Sequence, residues 1–154
     1  MELTGVRVEL PTNQPIVLLR ERGGERYLPI WIGAAEAAAI ALSLQGVQTP
    51  RPMTHDLMKN MLDDLSVDVQ RIVVTELRDS TFFATIELAR GKDSYEVSSR
   101  PSDAIALAVR MSVPIFASED VLNEASILIP GDEEEEVEKF REFLDNVSPE
   151  DFES

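Results

Sequence analysis

The sequence predicts an α+β fold, a compact single domain of mixed or antiparallel strands with packed helices and one further helix near the C-terminus. Three observations carry this reading. Two groups of strand-like segments, at 2–32 and 67–98, are joined internally by turns too short to hold a crossover helix. Each group runs into an Ala-rich stretch of helix-forming composition, at 34–45 and 101–111. The 154 residues, 44% apolar and 28% charged, suit one domain of ordinary globular composition with a buried core.

Taken in order, residues 2–10 and 16–20 read as strands joined by the turn Pro11-Thr12-Asn13-Gln14-Pro15, and Gly23-Gly24 leads into a third strand at 26–32. Trp31 belongs to the core or an interface rather than to a base-stacking platform. Gly33 breaks the strand pattern. The alanines that follow leave little bulk, which suits close packing on a sheet or another helix, and Gly46 ends the helix. A linker at 47–52 with two prolines leads to Thr54, expected to cap a helix running to about Leu65. There Leu57, Met58, Met61, Leu62 and Leu65 form one stripe expected to be core, with His55, Lys59 and Asp63 on a polar side. Strands follow at 67–77, 81–88 and 94–98, with Phe82, Ala84, Ile86 and Leu88 alternating onto one face of the middle one. Beyond the helix that Pro101 opens come a short buried strand at 113–117 and a short helix capped by Ser118. The acidic run at 132–136 reads as exposed, 137–144 as an amphipathic helix burying Val137, Phe140, Phe143 and Leu144, and the residues after Ser148-Pro149 as disordered.

Ala39-Ile40-Ala41-Leu42 recurs as Ala104-Ile105-Ala106-Leu107, each inside a helix that follows strands. A duplicated strands-then-helix unit explains the echo, and so does coincidence between Ala-rich helices. Duplication would make the two helix starts equivalent and place them near each other.

Composition excludes several function classes. No cysteine is present, which rules out disulfides, thiolate catalysis and Cys-ligated zinc. No apolar window reaches the length of a membrane span, and Met1-Glu2-Leu3-Thr4-Gly5 does not begin an export signal, so the cytoplasm is the expected location, without a membrane partner. The net charge of −15 is largely a property of the tail. Residues 132–154 carry 11 acids and 2 bases. No basic patch of the kind that grips nucleic acid is evident, which argues against tight non-specific binding but leaves transient or metal-bridged contact with phosphates open.

Candidate chemistry gathers at element junctions. Arg100, Ser102 and Asp103 crowd the start of the helix at 101, where unpaired N–H groups and the dipole favour oxygen anions. Three stretches in order, Tyr27-Leu28-Pro29-Ile30-Trp31-Ile32-Gly33 with Glu36-Ala37, Arg51-Pro52-Met53-Thr54-His55-Asp56-Leu57, and Ser99-Arg100-Pro101-Ser102-Asp103-Ala104-Ile105-Ala106, resemble the bifunctional nuclease family of bacteria and plants. Val113-Pro114-Ile115 follows at the expected distance. The resemblance covers roughly 1–130, leaving 131–154 as an acidic run, helix and tail. It implies a compact α+β domain, a homodimer, and hydrolysis of both RNA and DNA.

A phosphodiester hydrolase needs an activated nucleophile and groups that offset phosphoryl charge. The single histidine excludes a paired-histidine mechanism. In one route Glu36, Asp56 and Asp103 hold Mg²⁺ or Mn²⁺, hard ions suited to carboxylates. In the other His55 is a lone general base oriented by Asp56 or Asp103, while Arg51 and Arg100, with Ser99 and Ser102, bind phosphate. The metal route is preferred, because a chain this acidic needs something positive between itself and its substrate. Each residue also has a structural use: dipole complement for Glu36 and Asp56, ion pairs for Arg100 with Asp103 and Arg51 with Asp56. The alternative function is a non-enzymatic regulatory module that binds a small anion or nucleotide at a helix start.

Overall fold

The computed structural model describes residues 2–9, as backbone, and 15–128. Residues 11–14 of the expected turn at 11–15, the acidic run, the last helix and the tail lie outside these residues. The described chain forms eight strands and four helices: β1 (Glu2–Glu9), β2 (Ile16–Glu21), β3 (Arg26–Trp31), α1 (Ala34–Leu44), α2 (Thr54–Asp64), β4 (Asp68–Arg78), β5 (Thr81–Arg90), β6 (Asp93–Ser99), α3 (Pro101–Met111), β7 (Ile115–Ala117), α4 (Glu119–Ala125) and β8 (Ile127–Leu128). This is the α+β domain expected.

One sheet holds all eight strands in the order β6-β5-β4-β7-β1-β2-β3-β8. It contains two antiparallel meanders, β1-β2-β3 and β4-β5-β6, spreading in opposite directions from β7. The three residues of β7 join them, antiparallel to β1 through Leu3↔Ile115 and parallel to β4 through Ile72↔Ile115. The last strand of each meander feeds a helix, and α3 packs against both α1 and α2. Asp79 and Ser80 both take positive φ, 53° and 62°, as a two-residue hairpin requires when its twist must match the strands it joins.

Burial follows the sequence pattern. Phe82, Ala84 and Ile86 of β5 face the core with Ile72 and Val74 of β4, beneath Ile105 and Leu107 of α3. Strands β2 and β3 are buried on both faces. Val17, Leu19, Leu28 and Ile30 join the main core, while Ile16, Leu18, Tyr27 and Trp31 form a second cluster. An uninterrupted apolar run is the signature of a strand covered on both sides. Trp31 is core.

Three local expectations change. Thr54 does not cap α2; Met53 holds that place, and the Asp56 carboxylate accepts its N–H at 3.0 Å. The α2 stripe is core only in part: Met58 and Leu62 pack inward, while Leu57, Met61 and Leu65 stay about half exposed. At about 100° per residue the stripe spreads over about 140° of the helix, with Met58 and Leu62 at one edge and Leu57 and Met61 toward the other. Packing on one edge therefore leaves the other in solvent, and Leu65 lies past the helix end. His55, assigned to the polar side, is buried. Its polarity is met by a partner on α3, which one-dimensional spacing cannot show.

Ser118 caps α4 as expected, accepting the Val121 N–H at 3.3 Å and donating to the Thr75 carbonyl at 3.0 Å. Ser118→Ala removes both bonds and should cost about 1 kcal/mol in urea unfolding. A loss below a few tenths would show that the cap contributes nothing.

Candidate active site between three helix starts

The site is a cleft of about 280 Å³ bordered by α1 (Ala35, Glu36, Ala38, Ala39, Leu42), the entry to α2 (Met53, Thr54, His55) and α3 with its cap (Arg100, Asp103, Arg110). Local sequence explains how the polar groups arrive. Arg100 is the extended cap residue of α3, and Pro101 occupies the first helical position, where its missing N–H costs nothing. Asp103 is third in α3 and Glu36 third in α1, each in the first turn, where a carboxylate complements the helix dipole.

Arg100 joins the two acids. Its Nη2 donates to Glu36 Oε1 at 2.7 Å, its Nε donates to Asp103 Oδ2 at 3.0 Å, and Nη2 lies 2.9 Å from the same Oδ2. These contacts, with Asp103 the larger influence and Glu36 the second, raise the guanidinium pKa above its usual value. The Asp103 Oδ1 atom, in turn, lies 3.0 Å from His55 Nε2. The imidazole is 8% exposed, and Arg100 is 62% exposed. That contrast separates their tasks. An ion pair this open to solvent contributes at most about 1 kcal/mol, so Arg100 can exchange a carboxylate for a phosphate oxygen at little cost.

Arg110 is the opposite case. Only 7% exposed, it donates from Nε to Asp56 Oδ1 at 2.7 Å, from Nη1 to the Ala106 carbonyl and from Nη2 to the Ala39 carbonyl, both at 2.9 Å. It ties α1 and α2 to α3. The Arg110 hydrogen bond, helped by the Met53 N–H, holds Asp56 below its ordinary pKa of 3.8. Sequence reading missed Arg110. The available signal was a lone guanidinium in the last turn of a helix that is apolar from Ala104 to Val109, which reads equally well as a dipole complement.

The structure therefore brings Glu36, His55, Arg100 and Asp103 together, and leaves Asp56, Arg51, Ser99 and Ser102 off the cleft lining. Asp56 pairs with Arg110, not Arg51. Arg51 is exposed, Ser99 donates to the Arg100 carbonyl, and Ser102 is buried. The ligand set Glu36, Asp56 and Asp103 is not assembled: two of its carboxylates face Arg100 and the third faces Arg110. Among the described residues no three His, Asp or Glu side chains come together in a way that could hold a metal ion. The donors present thus do not fit the expected Mg²⁺ or Mn²⁺ site.

The helix starts do meet, as a duplicated unit would require. Their correspondence is not the four-residue identity, though. Counted from each helix start, Ala39 is sixth in α1 and Ala104 fourth in α3, so the matching strings differ by about 200° in direction around their axes. The residues that share a place counted this way are Glu36 and Asp103, each third in its helix and both bridged by Arg100.

Among the described residues no helix is long and apolar enough to cross a membrane. The bifunctional nuclease domain family matches residues 17–130, a span that contains every group in the cleft. A protein of Mycobacterium tuberculosis described only as uncharacterized is 48% identical over 161 residues, covering 99% of this chain and 96% of its own. Bifunctional nuclease 2 of Arabidopsis thaliana is 34% identical over 112 residues, 69% of this chain and 34% of that protein. Bifunctional nuclease 1 of Oryza sativa subsp. indica is 30% identical over 106 residues, 67% of this chain and 32% of its own. The chain thus aligns with about a third of each plant protein. Cleft and family match fall on the same residues, and the chain belongs to the bifunctional nuclease domain family.

Proposed function

We propose that this cleft hydrolyses phosphodiester bonds of RNA and DNA, with His55 as general base. The observation that carries the reading is the 3.0 Å contact between the buried His55 Nε2 and Asp103 Oδ1, with the exposed Arg100 on the other oxygen of the same carboxylate. An ionised Asp103 commits the Nε2 proton to itself and leaves the lone pair on Nδ1. Water attacks phosphorus as Nδ1 takes its proton. Arg100 offsets charge on the non-bridging oxygens, and the leaving ester oxygen takes its proton from solvent, since the chain has no second histidine. The scheme is written without a metal step, because among the described residues no three His, Asp or Glu side chains are grouped to hold an ion.

The test is cleavage of single-stranded RNA and DNA by purified protein, with Mg²⁺, Mn²⁺ or EDTA, beside His55→Ala. Cleavage that persists in EDTA and disappears in His55→Ala supports the reading. Cleavage abolished by EDTA restores the carboxylate–metal route. Stoichiometric nucleotide binding without turnover favours the anion-binding module. Sedimentation equilibrium on the same preparation tests the expected homodimer.

A further inference from the structure

The cleft's charge leaves a gap in its binding energy. Two carboxylates, Glu36 and Asp103, face the space against one exposed guanidinium, Arg100, in a chain of net charge −15. The second guanidinium on the lining, Arg110, is engaged by Asp56 and two carbonyls. Phosphate attraction, which supplies most of the affinity of ordinary nucleic-acid binders, is therefore weak here. Affinity for a nucleotide must come from contact with some other part of it.

The lining supplies such a contact. Ala35, Ala38, Ala39 and Leu42 lie at i, i+3, i+4 and i+7 of α1, which places them on one face. The core-facing positions of the same helix, Ala37 and Ile40, are different residues. The methyl-lined face borders the same space as the polar end formed by His55, Asp103 and Arg100. Met53, at the entry to a second helix, adds a half-exposed thioether to that border. A flat, polarisable ring against methyl groups and a sulfur is a favourable pairing. The wall runs for about 10 Å along α1. A space of about 280 Å³ suits one nucleotide rather than a duplex.

We propose that the wall of Ala35, Ala38, Ala39 and Leu42, with Met53, is a nucleobase subsite that seats one base beside the scissile phosphate. The inference rests on reading the polar end as a phosphodiester site. The wall presents side chains without hydrogen-bonding groups, so it accepts any base and reads none. Base contact, not phosphate contact, then sets affinity.

The probes are the four nucleoside 5′-monophosphates and base-free ribose 5-phosphate, titrated against the full chain by NMR shift perturbation or calorimetry. The monophosphates should bind at least about fivefold more tightly than ribose 5-phosphate, and within about threefold of one another. Ala38→Leu, at an exposed helix position that tolerates leucine, fills the wall and should remove that advantage while ribose 5-phosphate binding is unchanged. Met53→Ala should reduce it by a smaller factor. Equal binding of monophosphates and ribose 5-phosphate, binding of neither, or an advantage that survives Ala38→Leu overturns the subsite. If the advantage exists and Ala38→Leu removes it while no cleavage is seen, the subsite stands and the hydrolytic reading fails. In a protein that cleaves, Ala38→Leu should raise KM and leave kcat within about twofold.

Discussion

Asp103→Asn should lower kcat on single-stranded RNA and DNA by about 10²–10⁴-fold while the protein remains folded. The carboxylate does two jobs from one position, fixing His55 through Oδ1 and Arg100 through Oδ2. An asparagine keeps the shape but loses the charge. It no longer favours the tautomer with the proton on Nε2, and it cannot stabilise the imidazolium that forms when Nδ1 accepts a proton. Arg100 loses its stronger partner and keeps Glu36. The side chain of Asp103 is partly exposed, so the effect on stability should stay within about 1 kcal/mol. Steady-state kinetics beside circular dichroism and thermal melts check both parts, with Glu124→Gln, at an exposed position of α4, as a control. Activity within tenfold of the parent would remove His55–Asp103 from the mechanism. Loss of folding would assign the pair a structural role instead.

Arg110→Met should be the most destabilising single change in the cleft, costing about 2–4 kcal/mol in urea unfolding at pH 7. Removing the guanidinium leaves the Ala39 and Ala106 carbonyls without that donor and strips Asp56 of its charged partner. The figure sits at the lower end for a buried pair because Asp56 itself is 36% exposed and can be rehydrated. The same pair carries a pH signature. The folded pKa of Asp56 lies below its unfolded value near 3.8, so its contribution is complete above the unfolded pKa and is lost as pH falls through the folded one. Asp56→Asn should therefore destabilise at pH 7 and make progressively less difference below about pH 4. A cost for Arg110→Met below about 1 kcal/mol, or an Asp56→Asn penalty that does not shrink in acid, would contradict this account. Since Arg110 anchors α2 to α3, its replacement should also lower kcat by loosening the position of His55.

The meanders, the Ala-rich helices and the facing of β5 were readable because each rests on a local rule. Alternation places Phe82, Ala84 and Ile86 on one side of a strand whatever lies beyond it. Pro101 at a first helical position and Ser118 as a cap satisfy backbone groups only a few residues away. The family resemblance was legible for the same reason, since its three stretches are contiguous in the chain. The α2 stripe marks the limit. Helical spacing showed which residues share a side, but not that Met58 and Leu62 would find a neighbour while Leu57 and Met61 would not.

The identity of the candidate groups came from the chain alone: Glu36, His55, Arg100 and Asp103 stand out as polar residues at helix starts. Which of them work together is a matter of fold. Sequence separations of 48 and 64 residues close into a His55–Asp103 contact and an Arg100–Glu36 contact only because the helices after β3, before β4 and after β6 pack together on one sheet. Asp56, next to His55 in sequence, is turned instead to Arg110, 54 residues away, because neighbouring side chains on a helix diverge by about 100°. That rotation decides which carboxylate serves the imidazole, and it is why the expected three-carboxylate metal set does not form.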